Sequence, residues 1–458
     1  MTAVLSNIQR RSDEEDVQSS KSIPNEEFRT YRIRYYGLTL IALLNIVSSM
    51  NWLSVAPVPD YASSFFGNVG LSVINWFSNV FLLTYVVAGP VSSFVYDRFS
   101  IKLGIVIGAG LQIIGAWLRF ASCYVGSSSG KLALAMLGQT ICAIGQPFIL
   151  NASTPYAGLW FTADGRGTAS MISGLTNAVG MAVADLVVPA LVPNVESMWF
   201  GFLIIACVTT AVAIPTIFIP KRPKTPPSFS AFTRIDRRLP FHQYILRLAK
   251  NYHFLIIFLA FGILCGLTST LTSVLPQILG PYGVSFDDAG MVGAAFIIAG
   301  VVGAIVTGFI IDKWKCHKLI LKTFVPIVGF MYLAFFFVIK KDNYVPIIVV
   351  AAILGYFMLS LLPVALELSV ESSYPVSESV SSSSLWMCSQ IMGLVFILAT
   401  DALRDDNGNP PGNLRNALIM YVCLAMPMMV LCAFYNSPNK RLECEKQNAA
   451  TKEEQPSY

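Results

Sequence analysis

The chain contains twelve separate apolar segments, each close to the roughly 20 residues that an α-helix needs to cross a bilayer. They lie near 35–57, 73–95, 101–123, 131–157, 168–192 and 198–220, and then near 253–276, 288–311, 319–339, 345–369, 383–403 and 415–435. Only 12% of the residues are charged, against about 25% in a typical soluble domain. The sequence therefore predicts an all-α membrane protein with twelve transmembrane helices.

Several landmarks recur in the second half of the chain, which indicates a duplicated six-helix unit. The repeated pairs are Asp97 and Asp312 after helices 2 and 8, Pro147 and Pro363 in helices 4 and 10, and Asn177-x-x-Gly180 and Gln390-x-x-Gly393 in helices 5 and 11. The separation along the chain is nearly the same for all three pairs. Parallel repeats of this kind build the major facilitator fold, in which the substrate site lies at the midplane between the two halves.

These repeats predict five regions along the chain. They are a disordered N-terminal tail at 1–34, a six-helix half at 35–220, a basic linker at 221–252, a second half at 253–435 and a C-terminal tail at 436–458. The Lys and Arg residues favour the loops on the side of the termini by about four to one. The positive-inside rule then predicts that both termini and the linker are cytoplasmic. The plasma membrane and an internal organelle membrane both fit this arrangement.

The turns after helices 2 and 8 pair an acidic residue with a basic one. Asp97-Arg98 and Asp312-Lys313 resemble the cytoplasmic loop signature of the major facilitator superfamily. An acid and a base at a tight turn can contact neighbouring helix ends, and remaking such contacts can bias two conformations. The alternative is a turn whose basic residue only follows the positive-inside rule. The occurrence of an acid–base pair at both turns favours a gating role.

Three carboxylates inside or beside the apolar segments are further candidates, because burying a charge in lipid is costly. Asp185 in helix 5 fits a proton-coupling carboxylate, or equally a hydrogen-bonding residue near the outer end of its helix. Glu367 and Glu371 are four residues apart and so share one helix face. Their place at the cytoplasmic end of helix 10 favours a structural or gating role.

Uncharged polar residues also interrupt the apolar segments. They are Asn51 and Trp52 in helix 1, Gln112 in helix 3, Gln139 and Gln146 in helix 4, Asn177 in helix 5 and Gln390 in helix 11. Each could contact a solute, and each could instead form a hydrogen bond between helices. The sequence contains no nucleophile–base pair, phosphate loop or metal-ligand spacing, and no basic face for nucleic acid. We therefore expect no enzyme activity, cofactor, metal site or nucleic-acid partner.

More specific motifs occur at 138–150, 159–161, 184–194, 363–375 and 389–393, and at Trp52-Leu-Ser-Val-Ala-Pro57-Val. Over about residues 31–435 the chain resembles the feline leukaemia virus subgroup C receptor family, which is solute carrier family 49 of the major facilitator superfamily. Members of that family are implicated in moving choline, ethanolamine and haem. The resemblance implies that Trp52, Gln146 and Gln390 bind the solute. Ser269 stands where the family has an aromatic residue in helix 7, so another small polar or cationic metabolite fits as well.

These observations predict a monomeric major facilitator transporter that works by alternating access on a small solute. One alternative is a proton-coupled carrier of an unrelated solute that uses Asp185. Another is a membrane receptor or sensor that transports nothing.

Overall fold

The computed structural model describes residues 29–225, 227, 246–314, 316–373, 376 and 378–437. Most of the predicted N-terminal tail, linker and C-terminal tail lies outside these residues, so the five-region division stays a prediction. Within the described part, twelve helices are long and apolar enough to cross a membrane. This confirms the predicted all-helical fold with twelve spanning segments.

The twelve spanning helices are numbered α1 to α12 in chain order. The first six are α1 Ile33–Trp52, α2 Leu71–Arg98, α3 Ile101–Ser122, α4 Ser128–Leu150, α5 Ala163–Leu191 and α6 Met198–Ala213. The second six are α7 Tyr252–Leu279, α8 Phe286–Trp314, α9 His317–Val338, α10 Tyr344–Ser373, α11 Glu378–Ala402 and α12 Arg415–Ala433.

The two halves repeat the same helix pairings. In the first half α1 packs on α5, and α4 packs on both α2 and α3. In the second half α7 packs on α11, and α10 packs on both α8 and α9. The halves meet through α2 with α11 and α5 with α8. One end of the bundle carries Arg34, Arg98, Lys102, Lys313 and Lys318, and is called the basic face; the other end is the opposite face.

Two helices in the first half end or break earlier than their apolar segments do. The first apolar segment runs to residue 57, but α1 ends at Trp52 and the chain turns through Pro57 before a short helix at Pro59–Phe65. Helix α4 stops at Leu150 and resumes as a short helix at Ser153–Trp160. Pro155 has no N–H to donate to the carbonyl of Asn151, which accounts for this break.

Glycines allow α3 and α4 to approach each other closely. A Cβ atom added to Gly138 would lie 2.6 Å from the carbonyl oxygen of Gly115, so neither position has room for a side chain. Small residues at such contacts are typical of helix packing in membranes, where backbones touch directly. This contact also fixes the position of Arg119, which follows Gly115 by one helical turn.

We expect Gly115→Val to destabilise the protein by about 1–3 kcal/mol, because the new side chain overpacks the α3–α4 contact. The measurement is the midpoint of thermal unfolding of the purified protein in detergent. Gly110→Val on the same helix is the matched control, since a Cβ there meets nothing within 4 Å. Equal midpoints for the two variants would contradict the packing argument.

Candidate solute-binding site

A cavity of about 590 Å³ lies between the two halves, and is called the central cavity. All five residues predicted to bind the solute line it: Trp52, Gln146, Asn177, Ser269 and Gln390. The other lining residues are Leu150, Gly174, Ala178, Met181, Cys265, Thr268, Leu359, Leu362 and Trp386. These residues come from α1, α4, α5, α7, α10 and α11. The structure brings the predicted residues together, while their role in binding stays a prediction.

Trp52 is the last residue of α1, and hydrogen bonds hold both its indole ring and its backbone carbonyl. Its Nε1 donates a hydrogen bond to the carbonyl oxygen of Ser78 on α2, at 3.2 Å. Gln139 on α4 donates through Nε2 to the carbonyl oxygen of Trp52, also at 3.2 Å. Because both the ring and the backbone are hydrogen-bonded, the orientation of Trp52 at the wall of the cavity is preorganised.

Behind Trp52 lies a buried polar network centred on Arg119, which is only 1% exposed. Arg119 donates through Nη1 to the carbonyl oxygen of Asn51 at 2.8 Å and to Gln139 Oε1 at 2.7 Å. Asn51 Nδ2 donates in turn to Gln112 Oε1 at 2.7 Å. Gln112 and Gln139 therefore serve hydrogen bonds between helices and do not line the central cavity. The guanidinium lies at the C-terminal end of α1, where a positive charge is favourable.

A second tryptophan, Trp386, lines the central cavity and was not among the residues predicted from the sequence. Trp386 packs edge-to-face against Phe261 of α7, with ring centroids 5.3 Å apart and an interplanar angle of 89°. It precedes Gln390 by four residues on α11, and residues at this spacing share a helix face. That spacing is the signal that the sequence offered for it.

The lining of the central cavity is uncharged. Among the described residues that line it, polar groups come only from amides, hydroxyls, the Cys265 thiol and the indole N–H groups. Gln146, Asn177 and Gln390 each carry an amide that both donates and accepts. The cavity thus combines aromatic rings with neutral hydrogen-bonding groups.

Asp185 lies outside the central cavity, one helical turn beyond Met181 on α5. It is buried at the contact with α8, where Gly290 and Gly293 leave space for it. A Cβ atom added to Gly293 would lie 2.6 Å from Asp185 Oδ2. This oxygen has no hydrogen-bond partner among the residues that the structure describes. The carboxyl group is therefore held in the interface between the two halves.

The predicted gating residues lie at the basic face. Arg98 is the last residue of α2, and Lys313 lies in the last turn of α8 with its Nζ 5.3 Å from the ring centroid of Trp314. The side chains of Asp97 and Asp312 lie outside the described part of the structure. Pairing within each acid–base turn therefore stays a prediction.

The two predicted glutamates lie on α10 near the basic face. Glu367 Oε2 is 2.9 Å from Nε2 of His317, the first residue of α9. Glu371 follows one turn later on the same helix. The Glu367–His317 contact joins two helices of the same half, which agrees with a structural role for Glu367. A gating role for Glu367 and Glu371 stays a prediction.

A polar cluster joins the two halves near the opposite face, and we call it the latch. Gln277 at the end of α7 donates through Nε2 to Asn75 Oδ1 of α2, at 2.6 Å. Gln277 Oε1 accepts from Arg404 Nη2 at 2.6 Å, and Arg404 Nη2 lies 3.3 Å from Asp401 Oδ1. Asn75 is the residue that the first half contributes to the latch. No local sequence pattern pairs these residues, which are far apart along the chain.

Below the central cavity a third group of polar residues surrounds a space of about 420 Å³ that we call the vestibule. It lies toward the basic face, between α2, the α4 break and the start of α11. Ser93, Asn151, Thr154, Ser382 and Ser383 contribute polar groups to it. Leu150 and Trp386 line both the vestibule and the central cavity. These two side chains therefore separate the two spaces.

Comparison with known proteins agrees with this architecture. Residues 38–398 match the Major Facilitator Superfamily. Solute carrier family 49 member A3 of Xenopus tropicalis is 32% identical over 447 residues, covering 93% of this chain and 92% of the relative. The Homo sapiens choline/ethanolamine transporter FLVCR2 is 27% identical, covering 92% of this chain and 80% of the relative.

Solved structures share the fold at lower identity. FucP, a major facilitator transporter in its outward conformation, superposes with a TM-score of 0.65 at 16% identity, covering 89% of this chain and all of that one. A bacterial homologue of the human lysosomal transporter Spinster, in an inward-facing conformation, superposes with a TM-score of 0.60 at 16% identity. The match covers 89% of this chain and 96% of that one.

The repeated halves, the central cavity and the match over most of the chain define a multi-pass membrane transporter of the major facilitator superfamily, acting on a small metabolite. Within that superfamily the chain belongs to solute carrier family 49.

We expect Asn75→Ala to shift the protein toward conformations in which the opposite face is open, because it removes the contact of the first half with the latch. A hydrogen bond of this kind contributes about 0.5–1.5 kcal/mol, which is up to about tenfold in the ratio of two conformations. The separation of the halves is measured by double electron–electron resonance spectroscopy. Spin labels are attached at positions 126 and 341 of a variant in which the native cysteines are replaced.

The matched control is Asp406→Ala, an exposed loop residue near the latch. The distance distribution should broaden toward longer values in Asn75→Ala and stay unchanged in Asp406→Ala. Identical distributions for both variants would show that the latch does not hold the halves together.

Proposed function

We propose that the protein transports a small organic cation with an ammonium group, of the choline or ethanolamine kind, and binds it in the central cavity. The observation that carries this proposal is the cavity lining, in which Trp52 and Trp386 accompany neutral amides and hydroxyls. The name of the FLVCR2 relative, a choline/ethanolamine transporter, supports the same class of solute.

Two tryptophan rings are suited to an ammonium group. A cation over the face of an aromatic ring gains about 0.5–2 kcal/mol, most with tryptophan and when water is excluded. The helix 7 aromatic residue of the family is replaced by Ser269, and Trp386 supplies a ring from α11 instead. Gln146 and Gln390 can accept hydrogen bonds from a hydroxyl or amine on the solute through their amide oxygens.

The neutral lining also disfavours other solutes. A compact, strongly hydrated metal cation would lose its water without gaining a carboxylate, which is costly in a membrane. Anions, including the propionates of haem, would find no Lys or Arg among the described residues of the lining. A quaternary ammonium group is weakly hydrated and needs neither a carboxylate nor a basic side chain, so it fits the cavity best.

Alternating access follows from how the halves meet. The latch and the Asp185 contact join them near the opposite face, while the vestibule lies between the central cavity and the basic face. The Lys and Arg bias supports a cytoplasmic basic face. We propose that in this conformation the solute exchanges through the vestibule, past Leu150 and Trp386. Rocking of the halves would open the latch and expose the cavity on the other side.

We expect choline or ethanolamine uptake into proteoliposomes by the wild type, and a loss of at least about tenfold in Trp52→Ala and in Trp386→Ala. Trp52→Phe and Trp386→Phe should keep part of the uptake, because phenylalanine is a weaker platform for a cation. Trp76→Ala is the matched control, since Trp76 lies on the outside of α2 and is 41% exposed.

Absence of uptake by a folded and inserted wild type would contradict the proposal for these solutes. Uptake would also separate a transporter from a receptor that transports nothing. If Trp386→Ala alone left uptake intact, Trp52 would be the only aromatic platform.

Proton coupling through Asp185 is a second candidate, favoured by its unpartnered Oδ2 in the interface between the halves. A carboxyl group at that interface changes its surroundings when the halves separate, so it can bind a proton in one state and release it in the other. In this case Asp185 would couple the solute to protons without contacting it.

We expect Asp185→Asn to abolish the stimulation of uptake by a proton gradient, if the carrier is coupled, while exchange of solute between equal concentrations continues. Asparagine keeps the size of the side chain and cannot exchange a proton. Glu196→Gln at the opposite face is the control for a carboxylate outside the interface. Uptake with the same pH dependence in wild type and Asp185→Asn would exclude coupling through this residue.

A further inference from the structure

An apolar pocket lies within the second half beside the central cavity, and we call it the side pocket. Apolar side chains form most of its wall, among them Ile257, Phe261, Leu264, Leu321, Met358 and Ala365. Cys265, Thr268 and Leu362 line both the side pocket and the central cavity. An apolar space therefore adjoins the neutral polar one.

The residues at the boundary of the two spaces suit an apolar group. The hydroxyl of Thr268 donates to the carbonyl oxygen of Leu264 at 3.1 Å, so its proton is already used within α7. Leu362 contributes only hydrocarbon, and a cysteine thiol behaves as a small hydrophobe. A methylene chain passing between the two spaces would thus leave no strong donor without a partner.

The duplicated halves do not present the same chemistry to the central cavity. Gln146 in the first half and Leu362 in the second occupy equivalent positions of the repeat, each directly before its proline, and both line the cavity. Trp52 and Ser269 are separated along the chain by nearly the same number of residues as Gln146 and Leu362, so they also occupy equivalent positions of the repeat. They too differ in chemistry between the halves. An aromatic ring and an amide in the first half correspond to a hydroxyl and a hydrocarbon in the second. The side pocket adds further apolar surface where the second half lines the cavity.

We propose that the solute is amphiphilic, with its ammonium head in the central cavity and an apolar chain in the side pocket. This inference rests on the proposed function and adds the part of the solute that the head group does not specify. Because the side pocket adjoins the central cavity at Cys265, Thr268 and Leu362, a chain that leaves the head group on this side meets an apolar wall.

Affinity should then rise with the length of the apolar chain. Each methylene moved from water into an apolar site increases the binding constant about fourfold. The gain continues until the side pocket is full and then stops. A site for the head group alone would show no such rise.

The test measures binding of a series of ammonium ions to the purified full-length protein in nanodiscs, by ligand-induced thermal stabilisation. The series is tetramethylammonium, choline, butyltrimethylammonium, hexyltrimethylammonium and octyltrimethylammonium. We expect Kd to fall by about fourfold per added methylene from the butyl toward the hexyl compound, with a plateau at a longer chain.

Two variants locate the gain in the side pocket. Ala365→Phe fills the pocket and should weaken binding of the hexyl compound more than tenfold while leaving choline binding unchanged. If Ala365→Phe does not fold, Ala260→Leu fills the same space with a smaller side chain. Met358→Ala enlarges the pocket and should move the plateau to a longer chain. Lipid partitioning of the longer compounds is the same for every variant, so it cannot produce these differences.

Three results would overturn the inference. If choline binds and longer chains bind no better, the side pocket takes no part of the solute, while the proposed function stands. If the chain-length gain persists in folded Ala365→Phe and Ala260→Leu, the chain binds elsewhere. If no member of the series binds, the proposed function fails and this inference fails with it.

Discussion

The buried guanidinium of Arg119 stabilises the C-terminal end of the first helix of this transporter through hydrogen bonds. An arginine inside a membrane helix bundle is costly, and in the described structure its hydrogen-bond acceptors are the neutral oxygens of Asn51, Ser54 and Gln139. Those bonds satisfy a carbonyl that the end of α1 leaves free, in a place where water is excluded. Trp52 is thereby presented to the central cavity at the end of a helix that three neighbours hold in place.

The second half achieves the corresponding rigidity differently. At the position of the repeat equivalent to Gln139 it has Gly355, where an added Cβ would clash with the backbone carbonyl of Phe296. Direct backbone packing of α10 on α8 thus occurs where, in the first half, Gln139 of α4 donates a hydrogen bond to the carbonyl oxygen of Phe77 of α2, at 2.9 Å. Because packing requires no polar side chains, the second half is free to keep an apolar interior next to the cavity. The two halves therefore share a fold and differ in the forces that stabilise them.

The sequence predicted the spanning helices and the duplication because both depend on local composition and on a fixed spacing. It also identified Trp52, Gln146, Asn177 and Gln390 of the central cavity, since polar residues stand out in apolar segments, while Ser269 was identified through the family resemblance. It did not predict that Trp386 joins them, because a tryptophan in an apolar segment looks like one that faces lipid. The latch was missed for a different reason. Asn75, Gln277 and Arg404 meet only after the halves assemble, and no local pattern encodes that contact.

The uncharged lining of the central cavity has an electrical consequence. A cation bound there is not neutralised by the protein, so the loaded carrier moves one elementary charge across the membrane that the empty carrier does not return. A potential of 100 mV then contributes about 2.3 kcal/mol to each transport cycle, which corresponds to a concentration ratio of about fiftyfold. For a solute of this kind, the voltage across the host membrane alone can drive net accumulation on its negative side.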